Sequence, residues 1–258
     1  MEVLTAVAPV FGTNCYVVVA DDDVSCVVVD VGAGIAERLH DVVVGRGLRL
    51  VAVLATHGHV DHTWGAGELV DAFGVALHVH AADAYRLADP FGSLGLGRPG
   101  HDAHGPLAQA LMAAGLRPDE YRTPVRVETF ADTTASGVAL ELDGALFAGA
   151  PLTAVHAPGH TQGASLFLAA GVPSPTSVLP PGTPAEAVTG VTGTAFTGDV
   201  LFAGSIGRTD LPGGHGPTME RTLAERVVTL APSLLVLPGH GPASSVGLEL
   251  DRNPFLAG

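Results

Sequence analysis

Short apolar runs recur along the chain, and each is bounded by glycine, aspartate or proline. The runs are brief and rich in valine, a pattern typical of buried β-strands. The predicted strands are CYVVVA, SCVVVDVG, LVAVLAT, ALHVHA, LTAVHAPG, ASLFLAAG, TAFTGD and LLVLPG. The early runs follow one another directly, whereas the later ones alternate with longer segments.

Three segments place apolar residues every three or four positions and are therefore predicted to be amphipathic helices. They span residues 35–43, 69–73 and 219–230. Helices combined with consecutive strands predict an α/β sandwich with sheets inside and helices outside, not a purely doubly wound sheet. Residues 171–192 are proline-rich and lack periodicity, which predicts a surface insertion between two strands. Because strands continue on both sides, we expect residues 1–258 to form one domain.

The charge balance narrows the function classes. The formal net charge is −14, and all 12 basic residues are arginines. A surface this acidic repels phosphate backbones, so we expect no nucleic-acid partner. The sequence has neither a long apolar span nor a basic stretch followed by an apolar one at its start, so we expect no membrane association and a cytoplasmic location.

The stretch THGHVDH, residues 56–62, contains three histidines and an aspartate. Three further polar residues each follow an apolar strand and a glycine-containing turn, in APGHTQG, FTGDVLF and LPGHGP. Side chains just beyond the carboxyl ends of strands converge on one crevice in α/β folds. We therefore expect seven residues to meet there: His57, His59, Asp61, His62, His160, Asp199 and His240.

Five imidazoles and two carboxylates packed together carry a large desolvation and electrostatic cost unless cations hold them. Two divalent metal ions account for all seven of these side chains as ligands. The first would be held by His57, His59 and His160, and the second by Asp61, His62 and His240, with Asp199 bridging. Nitrogen dominates this donor set and thiolates are absent, so Zn²⁺ is the first expectation, with iron or manganese as alternatives.

Such a metal pair predicts hydrolysis. A bound cation lowers the pKa of a shared water to about 7, which gives a hydroxide nucleophile at neutral pH. Asp61 and Asp199 would act in catalysis by tuning that water. A thiolate leaving group, with a thiol pKa of about 8.5, departs without a proton donor, which favours thioester substrates over amides.

These seven residues and their flanks resemble the metallo-β-lactamase superfamily of dinuclear metal hydrolases. The stretch TGDVLFAGSIGRTDLPGG and the closing NPFL are similar to the glyoxalase II-like, single-domain branch, which hydrolyses thioesters such as hydroxyacylglutathione. The resemblance implies a four-layer αββα sandwich. Only 18 residues follow His240, whereas glyoxalase II itself has a carboxy-terminal helical region that helps to bind glutathione, so the thiol carrier and the acyl group stay open.

Several alternatives remain at this point. Arg208 either binds a substrate carboxylate or forms an ion pair with Asp210. A mononuclear iron persulfide dioxygenase and a lactonase are alternative activities, because related branches have similar residues. The expected partner is a small-molecule thioester, and the sequence does not define an oligomeric state.

Overall fold

The first six strands form one sheet whose order follows the chain. The computed structural model describes residues 1–95, 106–131 and 136–256. Strands β1 to β3 pair antiparallel, and β3 to β6 pair parallel. These strands are β1 Glu2–Val7, β2 Asn14–Val19, β3 Ser25–Val29, β4 Arg49–Leu54, β5 Leu77–His80 and β6 Val127–Phe130.

The second sheet has the order β14-β13-β10-β9-β8-β7. Its central strands β10 and β13 are parallel, and β9 is antiparallel to both of its neighbours, β8 and β10. Strands β11 and β12 form a separate two-stranded ribbon after β10. These strands are β7 Val138–Ala139, β8 Thr153–His156, β9 Ser165–Ala169, β10 Gly193–Gly198, β11 Leu201–Phe202, β12 Ser205–Ile206, β13 Leu234–Pro238 and β14 Ser244–Ser245.

The described helices are short. They are α1 Ala36–Gly45, α2 Val60–Thr63, α3 Ala66–Phe73, α4 Pro106–Ala113, α5 Gly216–Thr222 and α6 Val246–Arg252. A π-helical turn, Leu223–Val227, continues α5. Short 3₁₀ turns lie at Ala84–Leu87, Gly92–Leu94, Pro118–Glu120 and Ala185–Val188. None of the helices in the described ranges is long and apolar enough to cross a bilayer.

The alternation of side chains along β2 shows why its apolar run is continuous. Tyr16 and Val18 point into the core between the two sheets, while Cys15, Val17 and Val19 pack in the layer that includes α1 and α3. Successive residues of a strand face opposite sides, so a strand covered on both faces must be apolar at every position. On the second sheet, β8, β9 and β13 pack against α5 and α6 in the same way. The predicted four-layer αββα sandwich is confirmed.

The proline-rich segment 171–192 lies between β9 and β10, where the sequence predicted an insertion. It runs along the outer edge of β1. The Thr5 amide donates to the Val178 carbonyl at 2.8 Å, and the Val178 amide donates to the Val3 carbonyl at 2.8 Å. The segment therefore covers an edge whose amides and carbonyls would otherwise be open to another strand.

The core between the sheets gives a stability prediction. Phe196 in β10 is fully buried there and packs edge-to-face on Tyr16, with ring centroids 5.3 Å apart. Phe196→Ala should lower the free energy of unfolding by about 3–5 kcal/mol, because it removes buried apolar surface and leaves a cavity. Chemical denaturation measures the loss. The matched control is Phe255→Ala, since Phe255 is 55% exposed, and an equal loss in both variants would contradict this description of the core.

Candidate metal centre

Four strands of the two sheets end at the same rim of the sandwich. The loop after β4 carries the motif at residues 56–62, and the turns after β8, β10 and β13 carry His160, Asp199 and His240. Because β8, β10 and β13 run in the same direction, their carboxyl ends lie together. The fold thus brings residues that are up to 183 positions apart (57 to 240) to one rim of the sandwich.

The first group of donors is formed by His57, His59 and His160, all of which are buried. Nε2 of His160 lies 3.2 Å from Nε2 of His57 and 3.0 Å from Nδ1 of His59. The three ring nitrogens therefore point at a common position rather than at solvent or at the backbone.

The second group is formed by Asp61, His62 and His240. Nε2 of His62 lies 3.3 Å from Nε2 of His240, and a carboxylate oxygen of Asp61 lies 3.7 Å from the first and 3.5 Å from the second. This group combines nitrogen and oxygen donors and is less deeply buried than the first.

Asp199 lies between the two groups. Its Oδ1 is 3.2 Å from Nε2 of His62, and its Oδ2 is 3.6 Å from Nε2 of both His160 and His240. One carboxylate thus reaches a member of the first group and two members of the second. All seven residues that the sequence singled out are brought together.

The outward-facing ring nitrogens show where the protons lie. Nδ1 of His160 donates to the Arg208 carbonyl at 2.8 Å, and Nδ1 of His62 donates to Asp30 at 2.8 Å. The Thr56 hydroxyl donates to Asp30 at 2.8 Å, so it can accept from Nδ1 of His57, 3.2 Å away. With Nδ1 carrying the proton, the Nε2 atoms of His57 and His160 present lone pairs to one another.

The environment of the first group keeps His57 and His59 neutral at physiological pH. Burial, together with the neighbouring imidazoles, holds the pKa of His57 well below its usual range. Burial and the adjacent His160 lower the pKa of His59 to about 3. Imidazoles must be unprotonated to bind a metal, so this environment prepares the group for a cation.

The second group carries opposing charges. Burial would lower the pKa of His62, but the carboxylates of Asp199, Asp30 and Asp61 outweigh it and raise the pKa well above the usual value. In turn, His62 lowers the pKa of Asp61 and of Asp199 although burial alone would raise both. This half of the site attracts positive charge, which a proton or a metal ion can supply.

The donor chemistry fits divalent cations. In the first group, buried ring nitrogens face one another at 3.0–3.2 Å, and a positive charge between them would stabilise this arrangement. Imidazole with carboxylate suits zinc, iron and manganese, and no thiolate is present among the seven residues to select a softer ion. Within the described ranges, every grouping of side chains suited to hold a metal consists of these seven.

Sequence reasoning missed Asp30, which organises both groups from outside. It is buried, follows β3 directly, and accepts hydrogen bonds from the Thr56 amide, the Thr56 hydroxyl and His62. A carboxylate behind a metal-binding imidazole fixes its tautomer and orientation. The signal in the sequence was an aspartate directly after a strand, the same pattern that identified Asp199. The left-handed backbone of Asp30, with φ 58°, could not be read from the sequence.

The NPFL stretch at the end of the chain supports the hairpin that follows Asp199. The Asn253 side chain is buried and donates to the Ser205 carbonyl at 3.1 Å and to Glu249 at 2.8 Å. Glu249 also accepts from the Gly204 amide at 2.8 Å. These bonds hold the ribbon of β11 and β12, whose Phe202 ring lies 6.2 Å from the ring of His240.

The side chain of Arg208 forms the ion pair that was one of its two predicted roles. Its Nε and one terminal nitrogen each donate to Asp210 at 2.7 Å, and both side chains are exposed. Its backbone carbonyl, by contrast, orients His160. Substrate binding by the guanidinium stays a prediction.

This geometry agrees with the comparisons to known proteins. The family model of the metallo-beta-lactamase superfamily matches residues 8–171. The chain belongs to this superfamily. The match includes strands β2 to β6, the motif at 56–62 and His160.

Relatives within the superfamily span nearly the whole chain. The chain is 34% identical over 252 residues to the uncharacterized protein Rv2581c of Mycobacterium tuberculosis, covering 97% of this chain and 96% of the relative. It is 31% identical to the hydroxyacylglutathione hydrolase GloC of Haemophilus influenzae, covering 95% and 93%. The crystal structure of TTHA1623 in a di-iron-bound form aligns with a TM-score of 0.66 and 27% identity, covering 98% of this chain and 100% of that one.

Asp30 offers a test of how the imidazoles are held. Asp30→Asn should lower metal affinity about 10–100-fold, because the amide cannot accept all three hydrogen bonds and one imidazole loses its fixed tautomer. Competition with a chelator, followed by elemental analysis, measures the affinity. Asp23→Asn is the matched control, since Asp23 is exposed and has a similar left-handed backbone, φ 57°. Unchanged affinity in a folded Asp30→Asn variant would contradict the assigned role.

Proposed function

We propose that the chain is a dinuclear metal-dependent hydrolase that cleaves thioesters. The observation that carries the proposal is the position of Asp199, which lies within 3.6 Å of ring nitrogens from both donor groups. A shared carboxylate between two nitrogen-rich groups favours two cations over one. The relative GloC is named as a hydroxyacylglutathione hydrolase, which supports a thioester as the substrate class.

In this proposal the first cation is held by His57, His59 and His160, and the second by Asp61, His62 and His240. When bound, divalent cations lower the pKa of water to about 7 and polarise a carbonyl oxygen. Asp61 and Asp199 offset part of the positive charge and thereby tune the site. Zinc is our first choice of metal, and the di-iron form of TTHA1623 supports iron as an alternative.

The residues around the two groups have defined tasks. Asp30 keeps the proton of His62 on Nδ1 directly, and does so for His57 through the Thr56 hydroxyl. The Arg208 carbonyl keeps the proton of His160 on Nδ1. Three lone pairs are therefore directed at the positions where the cations would bind, which limits reorganisation when substrate arrives.

The leaving group is the reason for preferring thioesters. A thiolate departs without protonation because the pKa of its thiol is only about 8.5. An amide nitrogen needs a proton donor, and the proposal assigns none. A small-molecule thioester is thus the proposed partner, and its acyl group and thiol carrier are to be found by experiment. A cytoplasmic location stays a prediction.

Two other activities can be distinguished from thioester hydrolysis by assaying a panel of substrates. A mononuclear iron persulfide dioxygenase would contain one iron per chain and consume oxygen. A lactonase would use the same seven ligands but release no thiol. Anaerobic assays of a glutathione thioester, other acyl thioesters, an acyl homoserine lactone and a β-lactam, together with an aerobic assay of oxygen uptake with glutathione persulfide, separate these activities from the proposed one.

The wild-type protein should contain two metal ions per chain and release thiol from at least one thioester without oxygen. Metal removal should abolish the release, and adding the metal back should restore it. His59→Ala and Asp199→Ala should each lower turnover by at least about 100-fold, since even outer partners of a metal contribute 10–100-fold.

The controls for these two variants lie on the outer helices. His40→Ala in α1 and Asp71→Ala in α3 remove the same side-chain types at partly or fully exposed positions. They should retain activity and metal content. Full activity in metal-depleted wild-type protein, or in Asp199→Ala, would contradict the proposed function.

A further inference from the structure

A fully buried ion pair lies beside the metal centre without belonging to it. Asp83 and Arg86 are both 0% exposed, and Nε of Arg86 donates to Oδ1 of Asp83 at 3.3 Å. They lie after β5, at the 3₁₀ turn Ala84–Leu87. Neither residue was singled out by the sequence, and neither is one of the seven donors.

Asp83 accepts hydrogen bonds from four groups. Its Oδ2 accepts from the Gly58 amide at 2.8 Å and from the Thr161 hydroxyl at 2.6 Å. Its Oδ1 accepts from the Gly163 amide at 2.8 Å and from Arg86. A carboxylate has about four acceptor sites, so its capacity is filled.

The positions of these donors in the chain show what they connect. Gly58 lies between His57 and His59, while Thr161 follows His160 directly. One carboxylate therefore joins the backbone of the loop after β4 to the loop after β8. These two loops supply every member of the first donor group.

We propose that Asp83 is a positioning residue that sets the separation of the two histidine loops and so the affinity of the first metal position. This inference rests on the metal centre proposed above. It concerns His57, His59 and His160, because the hydrogen bonds of Asp83 reach Gly58 and Thr161, which are their direct neighbours in the chain, whereas His62 is oriented by Asp30.

Close packing around Asp83 explains two glycines of the motifs. A Cβ atom on Gly58 would lie 2.9 Å from the Asp83 carbonyl oxygen and 2.8 Å from Cδ of Arg86. A Cβ atom on Gly163 would lie 2.7 Å from Cβ of Asp83. Both distances are below any normal contact, so only glycine lets these amides reach the carboxylate.

Arg86 places a positive charge beside the buried carboxylate of Asp83. Its guanidinium also donates to the Pro212 carbonyl at 2.8 Å and to the Ser93 carbonyl at 3.3 Å. Replacing one member of such a pair leaves an uncompensated charge, while the intact pair adds little net stability. We therefore expect Asp83→Asn to lower the free energy of unfolding as well as to alter the loops, whereas substitutions of Thr161 leave the ion pair intact.

The test uses one variant in two backgrounds. Asp83→Asn keeps the volume but turns one acceptor oxygen into a donor, so at least the bonds on that side are lost. In a His240→Ala background only the first donor group is complete, and in a His59→Ala background only the second is. Affinity for Zn²⁺ is measured by chelator competition, and the spectrum of bound Co²⁺ reports the ligand geometry.

In the His240→Ala background, Asp83→Asn should weaken Zn²⁺ binding about 10–100-fold and change the Co²⁺ spectrum. In the His59→Ala background, Asp83→Asn should leave the Zn²⁺ affinity and the Co²⁺ spectrum unchanged. Thr161→Val should give a smaller loss of the same kind, and Thr161→Ser, which keeps the hydroxyl, should restore binding. Asp71→Asn, at an exposed position of α3, serves as the control.

The thermal unfolding of the metal-free proteins separates positioning from a general loss of stability. Equal weakening in both backgrounds, or no weakening in the first one, would overturn the inference. If Asp83→Asn does not fold, the comparison of Thr161→Val with Thr161→Ser decides in the same way. Failure of the wild-type protein to bind any metal would instead overturn the proposed function itself.

Discussion

The structure depends on a set of buried ring nitrogens that face one another. Hydrogen bonds on the far side of His57 and His160 fix their Nδ1 protons, so their Nε2 lone pairs meet at the rim of the sandwich. Buried lone pairs at such short separations repel unless a positive charge lies between them. The need for cations thus follows from the placement of protons several ångströms away from the site.

Two carboxylates outside the donor set hold the donor groups in place by different means. Asp30 acts on side chains, because it accepts from His62 and from the Thr56 hydroxyl. Asp83 acts on the backbone, because it accepts from the amides of Gly58 and Gly163. The αββα sandwich supports both, since it brings the ends of β4, β8, β10 and β13 to one rim. A dinuclear thioester hydrolase is the function that we propose for this arrangement.

The sequence predicts the buried strands and the seven donors for a shared physical reason. A strand covered on both faces must be apolar throughout. A polar residue just after such a strand lies at the carboxyl end of the sheet, as His160 and Asp199 do. The edge strand β1 was not predicted, because four of its six residues are only partly buried and its apolar pattern is weak. Asp83 and Asp30 could not be assigned, since their roles arise from hydrogen bonds to residues 25 to 80 positions away.

The most direct test of the central claim is anomalous diffraction from crystals of the wild-type protein, recorded at the absorption edge of the metal it carries. We expect two ions, one among His57, His59 and His160 and the other among Asp61, His62 and His240, with Asp199 contacting both. Side chains arranged as described here, but with no ion or with only one, would contradict it.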